Sequence, residues 1–401
     1  MLRIVSDNSE VERLLHRLHQ AVAEYGGWIS PGLEVVCADG DFSIRSDMET
    51  EVTGTIIRMP EACLPSLKDF TLGIDDDEIV IISHADAVRT EHVTLIQLLI
   101  AIYNCTEKLV LHRRVSPWFT LARWPAILEH VVRGREKAAQ VQKFRKYYEN
   151  GRLDDLLLES FIATRKFPFR ASGSQAIRPV LMPFVEFLNH HWSSPRFRVI
   201  GKEMNGFDGI SVEHSRPIIG SDECFVCYGN SDTLDCYVIF NFSDLSVPFV
   251  RSIPLVVSLS GVGSMHIFSQ NMQTHTGALP AAMEDIRFYI PEDLGVRDDA
   301  FAISHVIVPG KNAHTTLRRT LEYVIHRANP DILSATLRDG VITAEKSIIG
   351  KNIAYYRMLN RLVSSVGEDL ASSDVLGALK DLCNFQMSKL HGYADLIGLD
   401  T

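Results

Sequence analysis

The period of the apolar residues switches repeatedly along this chain, and that alternation limits the fold more than any single motif does. Residues 9–25 place Val11, Leu14, Leu15, Leu18 and Val22 at helical spacing, and Tyr25-Gly26-Gly27-Trp28 follows with the glycine that stops a helix. Between 33 and 60 the pattern turns to short β-branched runs, LEVVCA, DFSIRS and GTIIRMP, separated by turn residues. From about 90 to 180 the stripes are helical again, in HVTLIQLLIAIY, AILEHVVRG, KAAQVQKFRKYYEN and LDDLLLESFIATRKF. Strands resume with RFRVIG, GISVEH and ECFVCYG, and LDCYVIFNF follows. Beyond 250, strand-like IPLVVSL and MHIFSQ give way to helical HTTLRRTLEYVIHRA and EKSIIGKNIAYYRMLNRLVSSVGEDL. Two strand-rich stretches, 33–90 and 195–250, therefore straddle a helical block. The expected class is α+β: a β-rich domain over 1–255 with a helical insert at about 90–180, then an all-helical domain over 256–401.

The 401 residues are 46% hydrophobic and 22% charged, the balance of a soluble globular protein of two or three domains. Forty Lys and Arg against 50 Asp and Glu leave a net charge of −10, which argues against nucleic acid as a partner. The short basic run His112-Arg113-Arg114 reads as a solvated face. The start, MLRIVSDNSEVERLL, lacks a basic-then-apolar signal pattern, and the longest apolar runs, such as LIQLLIAIY, are too short for a bilayer. Seven cysteines, at 37, 63, 105, 224, 227, 236 and 383, are scattered as in a reducing compartment. An intracellular location, cytoplasmic or nuclear, and no membrane association are expected.

Cys224 and Cys227 form a C-x-x-C, but on a strand the two side chains point to opposite faces. Such thiols share neither one tetrahedral zinc nor a disulfide, so two small buried apolar residues is the preferred reading. His16 with His19, and His190 with His191, lack a carboxylate at H-E-x-x-H spacing, and no metal is expected. There is no G-x-S-x-G elbow and no P-loop, and Gly261-Val262-Gly263 reads as a loop.

One ordered constellation stands apart: PFVEFLNHH (183–191), GSDECFVCYG (220–229) and LDCYVIFNF (234–242). It resembles the SET-domain methyltransferases, in the branch similar to the RuBisCO large-subunit lysine methyltransferase, with its P-F-x-D-x-x-N-H, G-E-E-x-F-x-x-Y-G and closing helix in Y-G-F. Pro183, Phe184, Asn189, His190, Gly220, Glu223, Phe225, Tyr228, Gly229 and Phe242 match in order. More weakly, ESFIATRKFPF puts Arg165 at the family's arginine, and SPWFTLARWP and the Gly-Gly-Trp at 26–28 fit its other motifs.

The resemblance implies a SET-type fold, S-adenosyl-L-methionine as cofactor, and methyl transfer to a side-chain amine, a lysine of a non-histone protein, docked by the C-terminal domain. It casts Tyr228 as the catalytic residue. Asn189, His190, Arg165, Glu186 and the turn at Gly40 and Phe42 become the cofactor set, and Phe225, Phe240 and Phe242 the walls of a substrate channel. Each residue type suits its role. Asn and His supply hydrogen bonds to the adenine and amine ends of the cofactor, and the arginine fork matches a carboxylate. A tyrosine hydroxyl holds an amine in line, and a dry aromatic channel disfavours the ammonium form, whose ordinary pKa is about 10.4.

Three departures from the family pattern stand out. ADGDFSIRS replaces G-x-G-L, keeping Gly40 but setting Phe42 or Ser43 where the second glycine belongs, so that a side chain is expected to crowd the cofactor. Glu186 replaces aspartate. Phe240-Asn241-Phe242 replaces Tyr-Gly-Phe, removing a hydroxyl. Two alternatives follow: a SET-type fold without methyl transfer, serving as a partner-binding module or in small-molecule chemistry, and a histidine rather than a lysine acceptor.

Overall fold

The computed structural model describes residues 2–46, 54–202, 206, 208–216, 218–270, 275, 277–297, 300–310, 313–366 and 374–399. The chain is α+β, as its alternating periods require, and it divides into two compact units: residues 1–114 with 151–229, and 115–150 with 230–401.

In the first unit, helix Ser9–Glu24 begins where the Asn8 side chain accepts the N–H groups of Glu10 and Val11. It buries Val11, Leu14, Leu15, Leu18 and Val22, the stripe read from the sequence. At its end a Cβ on residue 27 would lie 2.4 Å from a Val22 methyl, so only glycine fits. Strand Leu33–Ala38 runs parallel to Arg3–Ser6 and antiparallel to Asp41–Ser46. The two-residue turn between the last pair is Asp39-Gly40, at φ +50° and +77°, the left-handed pair that a tight hairpin demands. A second sheet orders Arg198–Ile200, Gly209–Glu213, Thr55–Pro60 and Trp28–Ile29, all antiparallel. The unit also holds helices Thr90–Cys105, Lys108–Val115 and Leu153–Ala163 and two antiparallel pairs, Phe70–Asp75 with Glu78–His84 and Phe167–Phe169 with Arg178–Val180. His112, expected on a solvated face, is buried instead: it bonds Ser160 Oγ at 2.9 Å and meets the Phe161 ring edge-on. Arg113 of that run does pair at the surface, with Asp77 at 2.8 Å. Among the described residues no single helix is long and apolar enough to cross a membrane.

The second unit corrects the expectation of an all-helical C-terminal domain. Strands Leu255–Leu259, Gly263–Ile267, Ala300–Ile303 and Asp293–Arg297 form a mixed sheet, joined by helices His314–Ala328, Ser334–Ser364 and Asp374–Leu396. The alternation in this stretch was the truer signal, since Val257, Leu259, Met265 and Ile267 are buried while Val256 is exposed. The grouping of residues also departs from the expected boundary at 255. The reason is a buried ionic network: Arg135 Nη2 reaches both oxygens of Asp232 at 2.7 Å, and Arg135 Nε reaches Asp235 at 2.6 Å. Arg251 bonds Asp235 with its guanidinium and Asp232 with its backbone N–H. All four side chains are at most 4% exposed. Charges that deep persist only as a set, so segments 115–150 and 230–251 fold together.

Candidate functional site

The candidate site of the first unit is built where three short extended segments lie side by side. Asn189–His190 pairs in parallel with Phe225–Val226. The segment entering Phe225 is bound to strand Asp41–Ser46 through Cys224 N–H to Ile44 O (2.8 Å) and Ser46 N–H to Asp222 O (2.9 Å). The turn ahead of Asn189 explains the local sequence. Phe184 takes φ +62°, with Val185 N–H bonded to Pro183 O at 2.8 Å, a tight three-residue turn rare for a non-glycine residue. Phe184 is wholly buried, and its ring meets Phe187 edge-on. The short 3-10 turn Val185–Phe187 then sends Glu186 inward and Phe187 onto Phe42, ring centroids 4.3 Å apart and nearly parallel.

Tyr228 stands at the end of the crossing. Its hydroxyl donates to Leu188 O at 2.7 Å and its backbone N–H donates to His190 Nδ1 at 2.9 Å. His190 Nδ1 is therefore an acceptor, and the ring is held in one tautomer. The Tyr228 ring lies 5.0 Å from the His190 ring and stacks at 6.4 Å on Phe197, a neighbour that carried no signal in the sequence. Asn189 Nδ2 donates to Phe42 O (3.3 Å) and to Glu223 Oε1 (2.6 Å), so the motif residues Asn189, Phe42 and Glu223 do converge.

Glu186 heads a second cluster beneath these segments. Its side chain is 2% exposed; Oε2 accepts the Tyr103 hydroxyl at 2.5 Å and lies 4.0 Å from Arg165 Nε, while Oε1 is buried with no hydrogen-bond partner among the described residues. Burial raises its pKa to about 7, against the opposing pull of the Tyr103 bond, Arg165 and Lys108. Arg165 lies over the Phe161 ring at 3.7 Å, and its Nη1 bonds Phe161 O and Thr164 Oγ1. Lys108, 13% exposed, bonds Asp41 at 2.7 Å and sits 5.3 Å over the Phe42 ring. Burial lowers the pKa of Lys108, and burial with the two nearby cations pushes His112 well below its usual range. Tyr103 and Lys108 were missed by sequence reasoning because one reads as helix core and the other as surface charge.

Phe42, expected to crowd a cofactor, is 8% exposed and packed on Phe187, so its ring belongs to the core. The expected role of Gly40 shifts as well: the atoms nearest a Cβ there are Thr106 O and Leu111 Cδ1, not the Asn189–His190 strand. Gly40 instead borders an open cavity of about 370 Å³, shared with Asp7, Asn8, Asp39 and Glu107. Phe225 is 8% exposed and faces the His191 ring at 5.8 Å. Phe240 and Phe242 belong to the other unit, on a π-helical turn, Cys236–Phe240, closed by Asn241 at φ +66°. Asparagine tolerates this left-handed conformation where a glycine would otherwise be needed. Cys224 and Cys227 are buried free thiols. No three metal-ligating side chains cluster among the described residues.

No family model matches the chain, and no curated protein matches it. Among solved structures, the SET domain of LSMT bound to lysine and AdoHcy is similar over 96% of this chain and 91% of that chain, at 10% identity and TM-score 0.42. The same domain bound to MeLysine and AdoHcy has the same coverage and identity, at TM-score 0.39. The geometry of this chain's own residues has to carry the functional reading.

Proposed function

We infer that the protein is a SET-type methyltransferase that binds S-adenosyl-L-methionine and modifies a side-chain amine, a lysine of a non-histone protein. The observation that carries this reading is the crossing at Tyr228, where a hydroxyl and a backbone carbonyl, Leu188 O, are fixed 2.7 Å apart beside His190. A phenol and a carbonyl held together in this way present one polar edge to an amine and orient its lone pair. The cofactor, when bound, supplies the electrophilic methyl group. Arg165 suits its carboxylate: Nη2 has no hydrogen-bond partner among the described residues, and the planar fork is held by Phe161 and Thr164. Asn189 and Tyr228, through Phe42 O, Glu223 and His190, keep the three segments in register around the site. Phe197 shields the Tyr228 ring from one side.

Calorimetric titration with S-adenosyl-L-methionine tests the reading. Binding by the wild type that weakens in His190→Ala supports it, and no binding by the wild type sinks it. Transfer of labelled methyl to protein in a lysate, followed by mass mapping, then separates lysine from histidine as acceptor. A second reading, a SET-type protein that binds partners without methyl transfer, is favoured by Phe240, which lacks the hydroxyl of the resembled motif. Cofactor binding without labelled product selects it.

A further inference from the structure

Lys108 lies over the Phe42 ring and Arg165 over the Phe161 ring, both close to Glu186, in a protein that is acidic overall. Lys108 and Arg165 are 13% and 17% exposed, and Arg165 disfavours the charge on Lys108. The groups facing Glu186 are Tyr103 from helix Thr90–Cys105, Lys108 from helix Lys108–Val115, and Arg165 just past helix Leu153–Ala163, with His112 close to the two cations. Asp41, which pairs with Lys108, is 89% exposed. His112 is buried and neutral at ordinary pH, so it adds no charge. Two desolvated cations thus lie near one buried carboxylate, Glu186, whose Oε1 has no hydrogen-bond partner among the described residues. Such an arrangement favours a second anion, and an arriving anion favours the neutral form of Glu186.

We propose that Lys108 joins Arg165 as a receptor for the carboxylate of the bound ligand, and that Glu186 takes up a proton when that carboxylate arrives. The proton comes from solvent, and no covalent bond is made or broken. Lys108 acts here as a specificity-determining residue: it selects ligands that carry the carboxylate over those that lack it. The inference rests on the methyltransferase reading for the identity of the ligand, but not for the existence of the anion receptor.

The experiment compares S-adenosylhomocysteine with 5′-methylthioadenosine, which has the nucleoside but no carboxylate, by calorimetry at pH 7.5 in buffers of different ionisation heat. The wild type is expected to prefer the carboxylate-bearing ligand, with uptake of a fraction of a proton that depends on Glu186. Lys108→Met should shrink that preference about tenfold, the scale of one charge-assisted contact. Glu186→Gln should keep the preference and lose the proton uptake. An unchanged preference in Lys108→Met, or unchanged uptake in Glu186→Gln, overturns the proposal while leaving the methyltransferase reading intact. A parallel arm replaces chloride by acetate at constant ionic strength and follows thermal unfolding. If neither nucleoside binds but acetate raises the midpoint of the wild type and not of Lys108→Met, the receptor stands and the methyltransferase reading falls. If neither nucleoside binds and acetate does not distinguish the two proteins, both fall.

Discussion

At the scale of single residues, Tyr228 and Glu186 answer to different physics. The Tyr228 hydroxyl donates a neutral hydrogen bond to Leu188 O, and losing that bond in Tyr228→Phe should cost about 0.5–1.5 kcal/mol of stability in denaturant unfolding. If the hydroxyl orients the amine, single-turnover transfer by the same variant should fall roughly 10²–10³-fold, the scale of one lost site donor. Glu186 is governed by burial. Its pKa, about 7 in the folded chain, lies above the ordinary value of about 4.3, so the folded state holds the proton more tightly than the unfolded one. The contribution of Glu186 is therefore most favourable below the unfolded value, and stability drains away as pH rises from about 4.3 through 7. The wild type should lose up to about 3 kcal/mol across that window relative to Glu186→Gln, which keeps the shape and the Tyr103 contact. Urea unfolding of both proteins at pH 5 and pH 8 measures the difference. Glu186 was visible in the sequence as a motif position. Its environment was not, because the tight turn at Phe184 that buries it involves a phenylalanine, and no propensity announces that conformation.

At the scale of elements, the legible parts are those in which one short stretch contains its own instructions. The strands Leu33–Ala38, Asp41–Ser46 and Thr55–Pro60 were read within a residue or so because alternation and an Asp-Gly turn specify a hairpin locally. That turn is also tightly constrained. Gly40→Ala must accept φ +77° and bring a Cβ within 2.7 Å of Thr106 O, so it should lower stability by at least about 1–2 kcal/mol. Thermal unfolding checks this against Asn241→Gly, which relaxes a left-handed position without adding atoms and should be close to neutral. The strand at the tyrosine was overestimated in length. Only Phe225–Val226 is regular, and single bridges at Glu223 and Cys227 extend it by tethering to Arg45 and Arg196. Those bridges come from far along the chain and leave no periodic trace.

For the whole molecule, the least legible feature was which stretches belong together. Helices in 115–150 look like the rest of the helical block, yet Arg135 ties them to Asp232 and Asp235, about a hundred residues away. Arg135→Met would leave two buried carboxylates with only Arg251, and should cost about 3–5 kcal/mol in urea unfolding. A loss under 1 kcal/mol would show that the network is dispensable. The same network sets a timetable for synthesis. Since the chain leaves the first unit after residue 114, returns at 151 and departs again after 229, neither unit is complete when the other begins. At roughly 5–20 residues per second, the interval between Arg135 and its partner Asp232, 97 positions on, is about 5–20 s on the ribosome. Throughout that wait the nascent helices carry an arginine destined for a dry interior, and no cut at a single peptide bond separates one unit cleanly from the other.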